Sequence, residues 1–97
     1  MIKRYYMIVE GCVQGVGFRA FCMQNAVTFN LTGTVRNMEN GMVEIFAQGE
    51  ENDLVQFIHK IREGNRWIRV DDISIKETAV DPKETKFRYD FYSASWY

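Results

Sequence analysis

A glycine-rich run that ends in arginine carries the residue types best suited to bind an anion. Three glycines fall within seven residues, and the run reads Gly11-Cys12-Val13-Gln14-Gly15-Val16-Gly17-Phe18-Arg19. Glycine allows tight turns and close approach to a ligand, and the N–H groups at a helix start bind anions. An arginine fork can donate two parallel hydrogen bonds to a phosphate. The run therefore predicts a phosphate-binding loop, the alternative being a solvated Arg19 after a turn.

Other familiar phosphate-handling motifs do not match this run. It lacks the Gly-x-x-x-x-Gly-Lys-Ser/Thr pattern of nucleotide-binding P-loops. It also lacks the third glycine of a dinucleotide fingerprint, for which Ala20 is a weak substitute. Cysteine phosphatases resemble one another in a Cys-x5-Arg loop, but six residues separate Cys12 from Arg19 here. We interpret Cys12 as a small side chain near a strand end and Cys22 as part of a buried helix face.

Groups that could act as a general acid are scarce. His59 is the only histidine, and both it and Glu10 are expected to face solvent. No Cys/His cluster has metal-ligand spacing, so we expect neither a metal nor a cofactor. An alkoxide leaving group would need a general acid, whereas a carboxylate, whose conjugate acid has a pKa of about 4, would not. A mixed anhydride of a carboxylic acid and phosphate therefore fits this set of residues best.

Asn37 is the candidate for placing the attacking water. Its side-chain amide both donates and accepts hydrogen bonds without carrying a charge. The core-directed alternation of Leu31, Gly33 and Val35 extends to Asn37, which would set it at a strand end near the loop. The alternative interpretation is an asparagine that only favours the following turn.

The elements around these residues follow from periodicity. Residues 3–10 alternate and predict a strand, and apolar residues at helical spacing predict a helix over 18–30. Residues 31–48 predict an antiparallel hairpin around Asn40-Gly41, because both turn residues tolerate positive φ. The glycine loop thus joins a strand to a helix, and Asn37 ends the next strand.

The second half of the chain predicts one helix and two strands. Gly49 is expected to break a strand, and an apolar stripe from Leu54 to Ile61 predicts a helix that ends near Gly64. Strands follow near 70–78 and over 87–91 (Phe87, Tyr89 and Phe91), and the tail is expected to pack nearby through Trp96 and Tyr97.

This order predicts one domain over residues 1–97. Its fold class is α+β, a ferredoxin-like (split βαβ) sandwich with an antiparallel sheet and two helices on one face. The other face of the sheet would be open.

Two motifs resemble those of the acylphosphatase family. Gly11-x-Val13-Gln14-Gly15-Val16-Gly17-Phe18-Arg19 is similar to its first signature, and Gly33-x-Val35-x-Asn37 followed by Gly41-x-Val43-x-Ile45-x-Ala47-x-Gly49 is similar to its second. The resemblance covers nearly the whole chain. It implies hydrolysis of a small acyl phosphate to a carboxylate and inorganic phosphate, without metal. It also implies that Asn37 orients the water and that Arg19 binds the phosphoryl group together with the backbone amides of Gln14, Gly15, Val16, Gly17 and Phe18.

The chain departs from the family pattern at a few positions outside Arg19 and Asn37. Thr34 stands where an aromatic residue is common, and Met38 stands where a polar residue is common. These departures leave the rate and the substrate preference open.

Composition bears on the alternatives. The net charge is −1, which argues against non-specific nucleic-acid binding, and no apolar run approaches the length of a membrane span. Two cysteines and no evident signal peptide predict a reduced, cytoplasmic protein, and we expect a monomer. The alternative function is a non-catalytic ferredoxin-like module that binds a small anion, or RNA through Tyr6, Phe46 and the aromatic residues of the last strand.

Overall fold

The structure, a computed structural model, describes residues 1–90 of the chain. The elements are β1 (Ile2–Cys12), α1 (Phe18–Thr28), β2 (Thr32–Asn37), β3 (Val43–Glu50), α2 (Glu51–Glu63), β4 (Arg69–Thr78) and β5 (Phe87–Asp90). The sheet order is β4-β1-β3-β2-β5. The predicted ferredoxin-like fold is confirmed, but the sheet is mixed rather than wholly antiparallel, because β5 pairs parallel to β2 at the outer edge. Phe91, Trp96 and Tyr97 lie outside the described residues.

One hydrophobic core lies between the helices and the sheet. The strands contribute their odd-numbered positions, as their alternation predicted, and the buried strand residues are Met7, Val9, Val35, Val43, Ile45, Ala47, Ile73 and Phe87. The helices contribute Phe18, Cys22, Ala26, Leu54, Phe57 and Ile61. Both helices therefore pack on the same face of the sheet. Neither helix in the described part of the chain is long and apolar enough to cross a bilayer.

Helix α1 ends two residues earlier than the predicted boundary at residue 30. Asn30 has a φ of 57°, a left-handed conformation that asparagine tolerates better than most residues. The Asn30 N–H donates to the Val27 carbonyl at 3.1 Å, and the Leu31 N–H donates to the Ala26 carbonyl at 2.8 Å. These bonds close the last turn and send the chain directly into β2.

The expectation that Gly49 breaks β3 was wrong. The strand continues through Gly49, which pairs with Lys3, to Glu50, which pairs with Ile2. A Cβ at position 49 would lie 2.5 Å from the Leu31 side chain. Gly49 therefore makes room for a buried leucine inside a strand.

The face of the sheet opposite the helices is covered at one end, although the sequence predicted an open face. The chain must travel from β4 at one edge to β5 at the other, and residues 79–86 make that crossing. Gln48 exchanges hydrogen bonds of 2.9 and 2.7 Å with the backbone of Asp81. Glu84 accepts from Arg4 at 3.0 Å and from Thr32 at 2.7 Å. Since Arg4, Gln48 and Thr32 lie opposite one another in register, the connection follows one row of the sheet.

A hydrogen-bonded carboxylate lies further along the same face. Glu44 is only 7% exposed, and its Oε2 accepts from the Tyr6 hydroxyl at 2.8 Å and from Arg36 Nη2 at 3.1 Å. Burial tends to raise the pKa of Glu44, but the hydrogen bonds from Arg36 and Tyr6 outweigh burial and hold the pKa below its usual range. Burial and the hydrogen bond to Glu44 raise the pKa of Tyr6. The ring of Tyr6 also packs against Phe46, with centroids 4.8 Å apart.

We expect Glu44 to make the free energy of unfolding depend on pH in the acidic range. Because its folded pKa is lower than its unfolded pKa, its contribution is present above the unfolded value of about 4.5 and is lost as the pH falls through the folded value. Glu44→Gln should therefore unfold with a flatter pH dependence below about pH 5 than the wild-type protein. Urea denaturation at a series of pH values measures this, with the exposed Glu63→Gln as control. Parallel curves for wild type and Glu44→Gln would contradict the assignment.

Candidate active site

The glycine loop connects the end of β1 to the start of α1. A shift in register between Glu10 and Gly11 marks a bulge in the pairing with β4, and the buried side chains of Val13 and Phe18 anchor the two ends of the loop. Gly15 has a φ of 74° and Gly17 a φ of 80°. A residue with a Cβ adopts this left-handed conformation at a cost of about 1–2 kcal/mol. The loop conformation thus explains two of the glycines in the motif.

The N-terminus of α1 has the features of an anion site. Gly17 is the N-cap residue and has no side chain with which to cap the helix, and the first turn contains no acidic residue. The N–H groups of a first helical turn have no partner within their own helix, and together with the helix dipole they favour an anion. The backbone amides predicted to bind phosphate, from Gln14 to Phe18, belong to this loop and helix start.

Arg19 lies in the first turn of α1 and is half-buried. Its guanidinium carbon stands 4.4 Å from the centre of the Tyr89 ring on β5. Such stacking holds one face of the guanidinium, whereas its N–H groups donate in the plane of the group. Tyr89 pairs with Val35, two residues before Asn37, so Arg19 lies toward the end of the sheet where β2 ends. Tyr89 was predicted only as a strand residue and not as part of the site.

Asn37 is the last residue of β2 and pairs with Val43. Its side-chain carbonyl oxygen Oδ1 is buried, and it has no hydrogen-bond partner among residues 1–90. Buried polar atoms in folded proteins nearly always have a partner, and leaving one unpaired costs about 1–3 kcal/mol. An acceptor left in this state at the end of a strand is suited to a water or a ligand that donates to it.

The side chain of Gln14 joins the loop to the strand end that carries Asn37. Gln14 Nε2 donates to the carbonyl oxygen of Met38 at 2.7 Å and to that of Met42 at 2.8 Å. These residues flank the Asn37–Val43 pair in the chain. The fold thus brings the loop and Asn37 together, and the Arg19 stack on β5 lies at the same end. Only the backbone amide of Gln14 was predicted to take part in the site.

The remaining candidate side chains, two cysteines and a histidine, are not assigned to acid–base chemistry. Cys12 is exposed. Cys22 is buried, as predicted, and burial raises the pKa of its thiol. His59 lies on the exposed face of α2. Within residues 1–90, no group of three or more His, Cys, Asp or Glu side chains is arranged to hold a metal ion.

Comparisons with known proteins identify the family of this chain. The family model for acylphosphatase matches residues 5–89. An acylphosphatase from Clostridium acetobutylicum is 47% identical over 88 residues, which are 91% of this chain and 97% of that protein. The crystal structure of acylphosphatase from Bacillus subtilis superposes with a TM-score of 0.86 at 39% identity, covering 93% of this chain and 99% of that one.

A larger protein contains a similar domain. Full-length HypF, in a phosphate- and nucleotide-bound form, superposes with a TM-score of 0.86 at 32% identity. The match covers 96% of this chain but only 12% of HypF.

The family model matches nearly the whole chain, and the two acylphosphatases match it over nearly their full lengths. This chain therefore belongs to the acylphosphatase family and is an enzyme that hydrolyses acyl phosphates.

Proposed function

We propose that the phosphoryl group of the acyl phosphate binds to the backbone amides from Gln14 to Phe18 and to the guanidinium of Arg19, and that Asn37 orients the attacking water. The observation that carries this proposal is the buried, unpartnered Oδ1 of Asn37 within residues 1–90, on a strand end that Gln14 ties to the anion loop. Arg19, stacked on β5 at the same end of the sheet, supplies the positive charge.

The reaction balances without a protein acid or base. A water oxygen attacks phosphorus while the bond between phosphorus and the acyl oxygen breaks, and the electron pair of that bond leaves with the carboxylate. Both water hydrogens remain on the phosphate, which departs as dihydrogen phosphate. The leaving carboxylate needs no proton, because the pKa of its conjugate acid is about 4. Asn37 Oδ1 accepts one hydrogen bond from the water, which turns a lone pair of the water oxygen toward phosphorus.

Electrostatics accounts for the rate in this scheme. Negative charge on the phosphoryl oxygens is stabilised by donors that are already in place, as in other preorganised sites. The loop holds its donors by left-handed glycines and buried anchors, and the Tyr89 ring limits how far the Arg19 guanidinium can move. We also propose that the enzyme acts as a cytoplasmic monomer on small acyl phosphates, without nucleic acid, consistent with its net charge of −1.

Turnover of a simple acyl phosphate such as benzoyl phosphate, with a metal chelator present, tests the proposal. We expect hydrolysis to continue at an unchanged rate in the chelator, with inorganic phosphate acting as a competitive inhibitor. Loss of activity in chelator that returns with added metal would overturn the metal-free scheme. Phosphate binding without any turnover would instead favour the non-catalytic anion-binding module.

A further inference from the structure

The two carbonyl oxygens that Gln14 contacts belong to Met38 and Met42. These residues stand on either side of the turn between β2 and β3, and we call them the neck of the hairpin. The Met38 N–H donates to the Met42 carbonyl at 2.9 Å and closes the turn. Gln14 Nε2 donates to the Met38 carbonyl at 2.7 Å and the Met42 carbonyl at 2.8 Å. A single amide group therefore bridges both sides of the turn and fixes the neck to the phosphate loop.

This bridge acts beside Asn37. Met38 follows Asn37 in the chain, and Met42 precedes Val43. Val43 is the residue that pairs with Asn37 between β2 and β3. The turn beyond the neck is exposed at Asn40 and Gly41. Strand ends next to exposed turns fray readily. The hydrogen bonds from Gln14 to the neck restrain the last residue pair between β2 and β3, which is Asn37 and Val43.

We propose that the side-chain amide of Gln14 is a positioning residue for Asn37, a role separate from the backbone amide of Gln14 in the phosphate loop. It holds the end of β2 at the distance from the loop at which Asn37 can orient water toward phosphorus. The side chain itself does not contact the substrate. This inference rests on the proposed function of Asn37.

The chemistry of the bridge requires glutamine in particular. A side chain that bridges both carbonyl oxygens must donate one hydrogen to each of them, and a carboxamide nitrogen carries two donors. An ionised glutamate has none. Methionine matches the length of the side chain but offers no donor, and asparagine is shorter by one bond of about 1.5 Å.

The first test compares Gln14→Met with the wild-type protein, using Gln56→Met on the exposed face of α2 as the matched control. We expect kcat for an acyl phosphate to fall by about tenfold or more, because small misplacements of catalytic groups lower rates by such factors. The dissociation constant of inorganic phosphate should change by less than about twofold, since the loop amides and Arg19 remain. An unchanged kcat, or a loss expressed only in phosphate binding, would overturn the proposal.

A double-mutant cycle identifies the residue through which Gln14 acts. In an Asn37→Ala background, Gln14→Met should lower kcat by less than about twofold further, because the group that it positions is already absent. Losses that multiply independently would overturn the proposal. If the wild-type protein turns over no acyl phosphate, or if Asn37→Ala keeps its kcat, the proposed function fails together with this inference. If Asn37→Ala loses kcat and Gln14→Met does not, only this inference fails.

A second variant keeps the test available if Gln14→Met does not fold. Gln14→Glu has one donor when its carboxyl group is protonated and none when it is ionised. Its kcat relative to wild type should therefore rise as the pH is lowered from about 8 to about 5. A ratio that stays flat across this range would contradict the bridging role.

Discussion

Arg19→Ala is expected to lower kcat/KM for an acyl phosphate by about 10³-fold or more, the range measured when an arginine that stabilises a transferring phosphoryl group is removed. The guanidinium is the proposed cation of the site, and the first turn of α1 offers no side-chain charge to replace it, since Phe18 and Ala20 flank it. Steady-state hydrolysis of benzoyl phosphate measures the loss. The affinity for inorganic phosphate should fall as well, because both substrate and product contact Arg19 in the proposed scheme.

Two companion variants separate charge from geometry. Arg19→Lys should recover little activity, because an ammonium keeps the charge but lacks the planar fork that donates two parallel hydrogen bonds. The exposed Arg62→Ala on α2 should behave as wild type. If Arg19→Lys retained most of the activity, a point charge would be sufficient and the two-pronged grip on phosphate would be wrong.

The stability of Arg19→Ala distinguishes a local effect from loss of the fold. The stack on Tyr89, with the guanidinium carbon 4.4 Å from the ring centre, is a contact worth about 0.5–1 kcal/mol at an exposed site and about 2 kcal/mol when desolvated. Because Arg19 is half-buried, we expect the variant to unfold cooperatively with a loss of stability of no more than about 2 kcal/mol. A large loss of stability would indicate that reduced activity reflects the folded fraction and not the chemistry.

Most of the architecture was predictable because periodicity reports which side chains are buried. The alternation that includes Met7 and Val9 and the stripe that contains Leu54, Phe57 and Ile61 correctly identified a strand face and a helix face. The parallel pairing of β5 with β2 was not predicted, because alternation within a strand carries no information about its neighbour. The continuation of β3 through Gly49 was missed because the space-filling partner, Leu31, is distant in sequence.

The proposed site was predictable where the residue types themselves indicate a chemical role. Glycines, an arginine and an asparagine indicate an anion loop, a cation and a neutral polar group, and the family resemblance supplied their roles. The side-chain bridge from Gln14 to Met38 and Met42 could not be predicted, because its acceptors are backbone carbonyls that every residue possesses. The contact between Arg19 and the Tyr89 ring could not be predicted either. Tyr89 fits the alternation of its strand, and nothing in that pattern indicates which side chain it contacts.

The buried polar side chains on the far face show the same limit. Glu44 occupies an even-numbered position that alternation assigned to solvent, yet it is 7% exposed beneath Tyr6 and Arg36. A carboxylate tolerates burial when hydrogen bonds and an opposite charge compensate for lost water. Alternation within one strand cannot reveal such partners, because Tyr6 and Arg36 belong to other strands.

Asn37→Ala should separate catalysis from binding. We expect kcat to fall by about 10²-fold, comparable to the loss of one donor or acceptor that acts in a preorganised site. The dissociation constant for inorganic phosphate should change by less than about twofold, because the loop and Arg19 are intact. Asn52→Ala, on the exposed face of α2, is the control. A kcat that is unchanged in Asn37→Ala would exclude the water-orienting role.

The stability of the same variant gives an independent reading. Asn37 Oδ1 is buried without a hydrogen-bond partner among residues 1–90, so alanine removes a buried polar atom that no protein group in that range satisfies. Asn37→Ala should therefore be at least as stable as wild type in urea, although it is a poorer enzyme, which is the trade-off expected where function requires an unsatisfied group. A clear loss of stability would instead identify Asn37 as a structural residue of the hairpin end.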